Sequence, residues 1–266
     1  MKILTCTDGS RISDNAIKFS GIIGKGLKSR ITMLHVVKCE LPMKCGWVMK
    51  YKSKDSEGIL RKARDIISGF GLDAITKTRS GKIDGEIIKE TKGDYDLLVI
   101  GSHGVKGIEM FFFGAVSYKV IENVRIPVLV VKKGRTSLSR ILMCTGGSRY
   151  AEKAIRFGGK IAKALNADVT ILHVVKNHAQ KNARGYRDGE RYLKRGVNIL
   201  KKIGIDAKTV LVGGHRSKRV VREAEEGNYD LIIMGTHGMD PMKLLFSGSV
   251  VYEVLKNTKV PCLIVK

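Results

Sequence analysis

The stretch "ILTCTDGSRISDNAIKFSGIIGKGLKSRITMLHVVK", residues 3–38, reads as a strand, an amphipathic helix and a second strand. Both strand segments are apolar at successive positions, which is typical of strands buried on both faces of a parallel sheet. A polar turn follows the first strand, and Ser13 or Asp14 lies where a helix start is expected. The stretch therefore predicts a strand–helix–strand unit with a right-handed crossover.

The same unit occurs again at residues 141–176, "ILMCTGGSRYAEKAIRFGGKIAKALNADVTILHVVK", and 20 of the 36 aligned positions are identical. A second pair of segments, 93–132 and 227–266, aligns with 17 of 40 positions identical. The repeat is about 130 residues long, which is the length of a domain rather than of a solenoid unit. The sequence thus predicts two tandem domains, 1–134 and 139–266, joined through the polar segment "KKGRTSLS" at 132–139.

Within each copy, apolar strands alternate with amphipathic helices over the whole length. In the first copy the helices are predicted at 13–27, 56–70, 84–91 and 115–124. This alternation predicts an α/β fold in which each domain is a five-stranded, parallel, doubly wound sheet with helices on both faces. Ligands of such sheets bind beyond the carboxyl ends of the strands, at the point where the strand order reverses.

The composition excludes a membrane span, because no run of about 18 apolar residues occurs. No segment reads as a signal peptide, so we expect a cytoplasmic protein. The net charge of +24 is compatible with a polyanionic partner, but the charges are spread through short helices and are not interleaved with aromatic residues. Nucleic acid is therefore not favoured, and a lysine-rich solvated surface explains the charge as well.

The cysteines do not suggest a metal site. Cys6, Cys144 and Cys262 lie within apolar segments and are expected to be buried and inert. Cys39 and Cys45 flank "ELPMK", a spacing that fits no common zinc or redox pattern.

A glycine frame follows the fourth strand of each copy, in "GSHGVKGIEMFFFGA" (101–115) and "GTHGMDPMKLLFSGS" (235–249). Glycines let backbone N–H groups approach an anion closely, and a helix N-terminus adds further N–H donors. Ser249 supplies a hydroxyl at the helix start, where the first copy has Ala115. The frame is compatible with a phosphate cradle, but the glycines also serve turns and Ser249 is a good N-cap, so both interpretations stay open.

These residues resemble a tandem universal stress protein in nearly all of both copies. The resemblance rests on "ILTCTDGS", "LHVV", "YDLLVIGSHG", the complete G-x2-G-x9-G-S pattern of the second copy and the final "PVLVVK". It implies an adenine nucleotide alpha hydrolase-like fold, bound ATP, ADP or AMP, and pairing of domains through their last strands. Mg²⁺ can accompany the nucleotide but is not required, and neither a resident metal nor a catalytic residue is implied.

The resemblance also implies the residues around the nucleotide. In the second domain these are Thr145, Gly146, Val174, Gly235, His237, Gly238, Gly248, Ser249 and Val250. In the first domain, expected to bind more weakly, they are Thr7, Asp8, Val36, Gly101, His103, Gly104, Gly114, Ala115 and Val116. Each domain departs from the family pattern once. Gly146 replaces the acidic residue that follows the first strand, and Ala115 replaces the hydroxyl.

The function expected from the sequence is that of a stress-response regulatory protein whose nucleotide occupancy alters its shape or partners. It is not expected to be an enzyme, since Ser10 and Ser148 have no evident base. The alternatives are a nucleotide-free scaffold with a vestigial pocket and a very slow ATPase. A homodimer is a further assembly compatible with the sequence. His35 and His173, at equivalent strand positions, are interpreted as half-buried residues with satisfied hydrogen bonds.

Overall fold

The computed structural model describes residues 1–39, 45–102, 114–132, 137–176, 183–236 and 249–266, with backbone only for 45–54 and 183. The chain divides into two compact units, Met1–Thr136 and Ser137–Lys266. None of the helices within the described residues is long and apolar enough to cross a membrane.

The first unit contains five parallel strands in the spatial order β3-β2-β1-β4-β5. Their bounds are β1 Lys2–Cys6, β2 Arg30–Lys38, β3 Ala74–Gly81, β4 Leu97–Gly101 and β5 Val128–Val131. Because β1 pairs with β2 on one side and β4 on the other, the strand order reverses between β1 and β4.

The second unit repeats this sheet in the order β8-β7-β6-β9-β10, again with every pair parallel. Its strands are β6 Arg140–Cys144, β7 Asp168–Val175, β8 Ala207–Gly213, β9 Leu231–Gly235 and β10 Cys262–Val265. The order reverses between β6 and β9. The predicted fold class, five parallel strands per unit with helices between them, is confirmed.

Within the part of the chain that the structure describes, four helices cover each sheet. In the first unit they are α1 Arg11–Leu27, α2 Cys45–Ser68, α3 Ile83–Glu90 and α4 Ala115–Asn123. In the second they are α5 Arg149–Leu165, α6 Ala183–Lys201, α7 Arg216–Glu226 and α8 Val250–Asn257. The first two helices of each unit pack on each other and so do the last two. Right-handed crossovers place the two pairs on opposite faces of the sheet.

The central strands are buried on both faces, as their apolar runs predicted. Ile3 and Leu4 of β1 and Ile141 and Leu142 of β6 have no exposed surface. Helices on both sides of the sheet account for this burial.

Three helix starts of the first unit differ from the sequence expectation, that of α3 by one residue, at Ile83 instead of 84. Helix α1 begins at Arg11 rather than at 13, because the Ser10 side chain caps it by accepting a hydrogen bond from Ser13 N. Helix α2 begins at Cys45, eleven residues before the expected start at 56. Cys39 takes part in a disulfide, which the sequence spacing did not indicate.

Candidate functional site

A cavity of about 300 Å³ lies at the carboxyl edge of the first sheet, where the strand order reverses. The strand ends, the start of α4 and one side of α3 form its walls. Seven of the nine residues expected in this unit line it: Thr7, Asp8, Val36, Gly101, Gly114, Ala115 and Val116. His103 and Gly104 lie outside the described residues.

The second unit has a larger cavity of about 460 Å³ at the equivalent place. Six of its nine expected residues line it: Thr145, Gly146, Val174, Gly235, Ser249 and Val250. His237, Gly238 and Gly248 lie outside the described residues.

The turn after the first strand is built in the same way in both units. Thr7 Oγ1 accepts a hydrogen bond from Gly9 N, and Thr145 Oγ1 accepts one from Gly147 N, each at 3.2 Å. Both glycines have φ near +80°, at +80° and +75°, a conformation that disfavours other residues. The turn therefore fixes the position of the residue between threonine and glycine at the mouth of each cavity.

That position carries the first chemical difference between the cavities. In the first unit it is Asp8, whose carboxylate accepts a hydrogen bond of 3.1 Å from Ser10 N. In the second unit it is Gly146, and a Cβ there would meet nothing within 4 Å. The second cavity consequently lacks this negative charge, although it has room for one.

The helix start at the cavity carries the second difference. Ser249 is the N-cap of α8, and its Oγ accepts a hydrogen bond from Tyr252 N at 3.2 Å. Ala115 cannot cap a helix, so α4 begins one residue earlier in the repeat, with Gly114 as an N-cap that forms no side-chain bond. The Ser249 hydroxyl accepts at the cap and keeps its proton, so it can cap the helix and donate to a ligand at once.

Arg216 is the third difference and was missed by the sequence analysis. It is the first residue of α7, it is exposed, and it lines the second cavity. The equivalent position in the first unit is Ile83, which lines the first cavity. Position-by-position alignment of the two copies could have revealed this exchange, but it belongs to no motif. One cavity therefore has a cation where the other has an aliphatic side chain.

Both strand histidines make the hydrogen bonds predicted for them, but only His35 is half-buried as predicted, and His173 is buried. His35 Nδ1 donates to Thr7 O at 2.9 Å, and His173 Nδ1 donates to Thr145 O at 2.7 Å. A carbonyl oxygen only accepts, so Nδ1 carries the proton in both cases. Burial lowers the pKa of His173, and the charge of Arg216 lowers it further, although the bond to Thr145 opposes both effects. His173 is thus neutral at pH 7 and anchors the turn beside the cavity.

The two cysteines at the strand ends line the cavities and are half-buried, whereas Cys262 is buried as predicted. Burial is the main reason that the pKa values of the Cys6 and Cys144 thiols are raised. Both thiols are therefore protonated at pH 7 and are poor nucleophiles.

Thr236 directly follows β9 and also lines the second cavity. Its hydroxyl oxygen is buried and has no hydrogen-bond partner among the described residues. Buried hydroxyls are usually paired, so this one is a candidate to contact a ligand. Among the described residues, no group of three or more His, Cys, Asp or Glu side chains is placed to hold a metal ion.

The duplicated sheet and its paired cavities define a tandem α/β protein of the adenine nucleotide alpha hydrolase-like class. The chain belongs to the universal stress protein family, whose model matches residues 1–132 and 138–266. Universal stress protein Slr1230 of Synechocystis sp. is 22% identical over 287 residues, with 98% of both chains covered.

Single-domain relatives match one unit. Universal stress protein MJ0577 of Methanocaldococcus jannaschii is 37% identical over 153 residues, which covers 48% of this chain and 94% of the relative. The crystal structure of a universal stress protein from Archaeoglobus fulgidus aligns over 100% of this chain and 98% of its own, with a TM-score of 0.79 and 21% identity. That likeness extends the shared fold to the whole tandem chain.

Proposed function

We propose that this chain is a regulatory protein of the stress response that binds an adenine nucleotide, and that the cavity of the second unit is its main site. The observation that carries the proposal is the convergence of Thr145, Gly146, Val174, Gly235, Ser249 and Val250 on one cavity at the switch point of the sheet. These residues come from three strand ends and a helix start.

The phosphates would lie at the start of α8. The first backbone N–H groups of a helix have no partner within it, and the helix dipole favours negative charge at this end. The Ser249 hydroxyl can donate to the same anion, and Arg216 adds a guanidinium at the cavity mouth. Thus three kinds of donor surround the place where a phosphate chain would sit.

The nucleoside would lie toward the ends of β6 and β7. Val174 is buried at the end of β7, and the adenine would meet its backbone, as the family resemblance implies. Gly146 leaves open space beside this position. The volume of about 460 Å³ is within the range of about 300–1,000 Å³ for small-molecule sites.

The first cavity should bind nucleotide more weakly. It is smaller, it has Ile83 and Ala115 in place of Arg216 and Ser249, and it adds the Asp8 carboxylate. A carboxylate near phosphates is repulsive unless a cation such as Mg²⁺ lies between them. The difference in affinity between the two cavities should therefore be largest for nucleotide without a bound metal ion.

Titration calorimetry with AMP, ADP and ATP, with and without Mg²⁺, tests the proposal on wild type, Gly238→Val and Gly104→Val. Gly238→Val should abolish the tighter binding, and Gly104→Val should leave it intact. The opposite pattern would reverse the ranking of the cavities. If no nucleotide binds at millimolar concentration, the chain is better described as a nucleotide-free scaffold.

We expect nucleotide turnover to be negligible. Fast hydrolysis requires a positioned water, a base and usually a metal held by carboxylates, and Gly146 stands where an acidic residue would be needed. Phosphoryl-transfer enzymes typically turn over at about one per second or faster. Steady-state phosphate release by this chain at that rate would contradict the prediction of negligible turnover, provided that Gly248→Val abolished the release.

A further inference from the structure

Helix α5 presents a row of basic side chains to solvent. Every residue of α5 that is exposed is a lysine or an arginine: Arg149, Lys153, Arg156, Lys160 and Lys163. The steps of four and three residues place them on one stripe of the helix. With a rise of about 1.5 Å per residue, the stripe is about 21 Å long.

Helix α6 presents a second row. Its exposed basic residues are Arg184, Arg187, Arg191, Lys194, Arg195 and Lys201, and its other exposed residues are Glu190 and Asn198. The two helices pack on each other over the same face of the sheet. Glu152 of α5 lies between the rows, because it contacts Arg156 at 3.2 Å and Arg195 at 4.0 Å.

The face formed by α5 and α6, called here the α5–α6 face, has eleven exposed basic residues. The acidic residues described on it are Glu152, Asp188 and Glu190. The sequence alone did not favour nucleic acid because the charges are scattered along the chain. Folding brings these onto one surface.

The fold does not require this charge, as the equivalent helices of the first unit show. At the positions of Lys153 and Lys160, α1 has Asn15 and Ile22. The described part of α2 has Asp55, Glu57 and Asp65 exposed beside its basic residues. The same architecture therefore forms without a lysine at these two positions and with acidic residues exposed on the second helix.

Two features distinguish the kinds of anionic partner. A membrane-binding face inserts large apolar side chains, yet the exposed ones among the described residues are Ile75 and Val116, both in the first unit. Single-stranded nucleic acid stacks on aromatic rings. On the α5–α6 face, however, arginine side chains already cover two tyrosine rings: Arg149 lies over Tyr150 at 4.8 Å and Arg191 over Tyr192 at 5.5 Å. These rings are therefore not open for bases to stack on.

A duplex backbone fits the remaining geometry. Packed helices have axes about 8–10 Å apart, and the grooves of B-form DNA are about 6 and 12 Å wide. Two neighbouring basic rows on packed helices can contact phosphates on both sides of a groove. We propose that the α5–α6 face binds the phosphate backbone of double-stranded DNA without reading its base sequence.

The test is fluorescence anisotropy of a labelled 24-base-pair duplex of mixed sequence, at several KCl concentrations, with the full chain. A triple variant, Lys153→Glu, Lys160→Glu and Lys194→Glu, reverses three charges on the face. The matched control, Lys18→Glu, Lys25→Glu and Arg61→Glu, makes the same change of net charge on exposed residues of the first unit. Thermal melting establishes that each variant is folded, and Lys→Gln replaces Lys→Glu if the face variant is not.

Wild type should bind with an affinity that falls steeply with salt, with a log–log slope of about 0.9 per phosphate contact. The face variant should lower that slope by roughly 2.7 and weaken binding at low salt by at least about ten-fold, whereas the control should bind nearly as wild type. Equal losses in both variants, or no binding by wild type at 50 mM KCl, would overturn the proposal. So would tighter binding of a single strand, an RNA duplex of the same sequence, or vesicles of anionic phospholipid.

Discussion

At the scale of single residues, the two units differ by a few exchanges that change the chemistry of a shared cavity. Ser249 against Ala115 changes where the following helix begins and whether a hydroxyl faces the cavity. The first cavity has the negative charge of Asp8 where the second has Gly146. The second cavity has the positive charge of Arg216 where the first has Ile83. All three exchanges favour an anionic ligand in the second unit.

Arg216→Ile should weaken ATP binding by the second unit about 10- to 150-fold. This range corresponds to the roughly 1.5–3 kcal/mol of a hydrogen bond to a charged group. Adenosine binding should change little, because the guanidinium is expected to contact phosphate. Titration calorimetry with both ligands measures the difference.

The control for this prediction is Lys218→Ile, which removes the same charge from an exposed residue of α7 that does not line the cavity. If Lys218→Ile weakens ATP binding as much as Arg216→Ile does, Arg216 acts only through the overall charge. The reciprocal change, Ile83→Arg, should strengthen ATP binding by the first unit.

At the scale of secondary-structure elements, α3 is tied to the first sheet by a charge cluster. Glu90 at the end of α3 accepts hydrogen bonds from Lys77 Nζ at 2.6 Å, Tyr95 Oη at 2.9 Å and Arg79 Nη2 at 3.0 Å. Burial acts to raise the pKa of Glu90, but the hydrogen bonds outweigh it and the pKa is lowered. In the second unit, Val210 and Val212 replace the two cations.

Glu90→Gln should destabilise the first unit by about 1–3 kcal/mol at pH 7, because the neutral amide leaves two cations without their carboxylate. Lys77 and Arg79 are partly exposed, at 36% and 46%, so solvent screening keeps the loss below that of a fully buried pair. Hydrogen-exchange mass spectrometry of the β3 amides would report this loss without assuming that the chain unfolds in one step.

The lowered pKa of Glu90 also fixes the direction of the pH effect. The folded state binds this proton less readily than the unfolded chain, so the stabilisation is present above the unfolded value of about 4.3 and is lost as the pH falls through the folded pKa. Protection of β3 should decline over this acidic range in wild type and less so in Glu90→Gln. Glu223→Gln, the equivalent change in the second unit, should have little effect on either unit.

Much of the architecture could be predicted from elements that repeat. The alternation of apolar strands and amphipathic helices predicted a parallel sheet. Comparison of the two copies predicted that the glycine frame follows the end of a strand. The start of α2 could not be predicted, because "CGWVMKYKSKD" lacks a clear apolar period. Arg216 could not be found by motif, since only the packing of α7 brings it to the cavity.

At the scale of the whole molecule, we propose that the two units pair through their last strands, β5 and β10. Each of these strands is short and apolar and lies at the edge of its own unit's sheet. An open apolar edge promotes aggregation unless another chain segment pairs with it. A duplicated chain provides a partner for each edge, and a homodimer provides another.

Separate expression of residues 1–134 and 139–266 should therefore yield fragments that associate with each other or with themselves. Sedimentation velocity of each fragment and of their mixture measures this association. Two stable monomers that do not associate when mixed would show that the last strands need no partner.

The central claim is that Ser249 completes a phosphate cradle in the second unit. Calorimetric titration of metal-free ATP into Ser249→Gly tests it most directly, because glycine at an N-cap costs a helix only a few tenths of a kcal/mol. The affinity of the tighter site should fall about 10- to 150-fold in this variant, while Ala115→Gly should leave that site unchanged. An unaltered isotherm for Ser249→Gly, or a loss of the tighter site in Ala115→Gly, would contradict it.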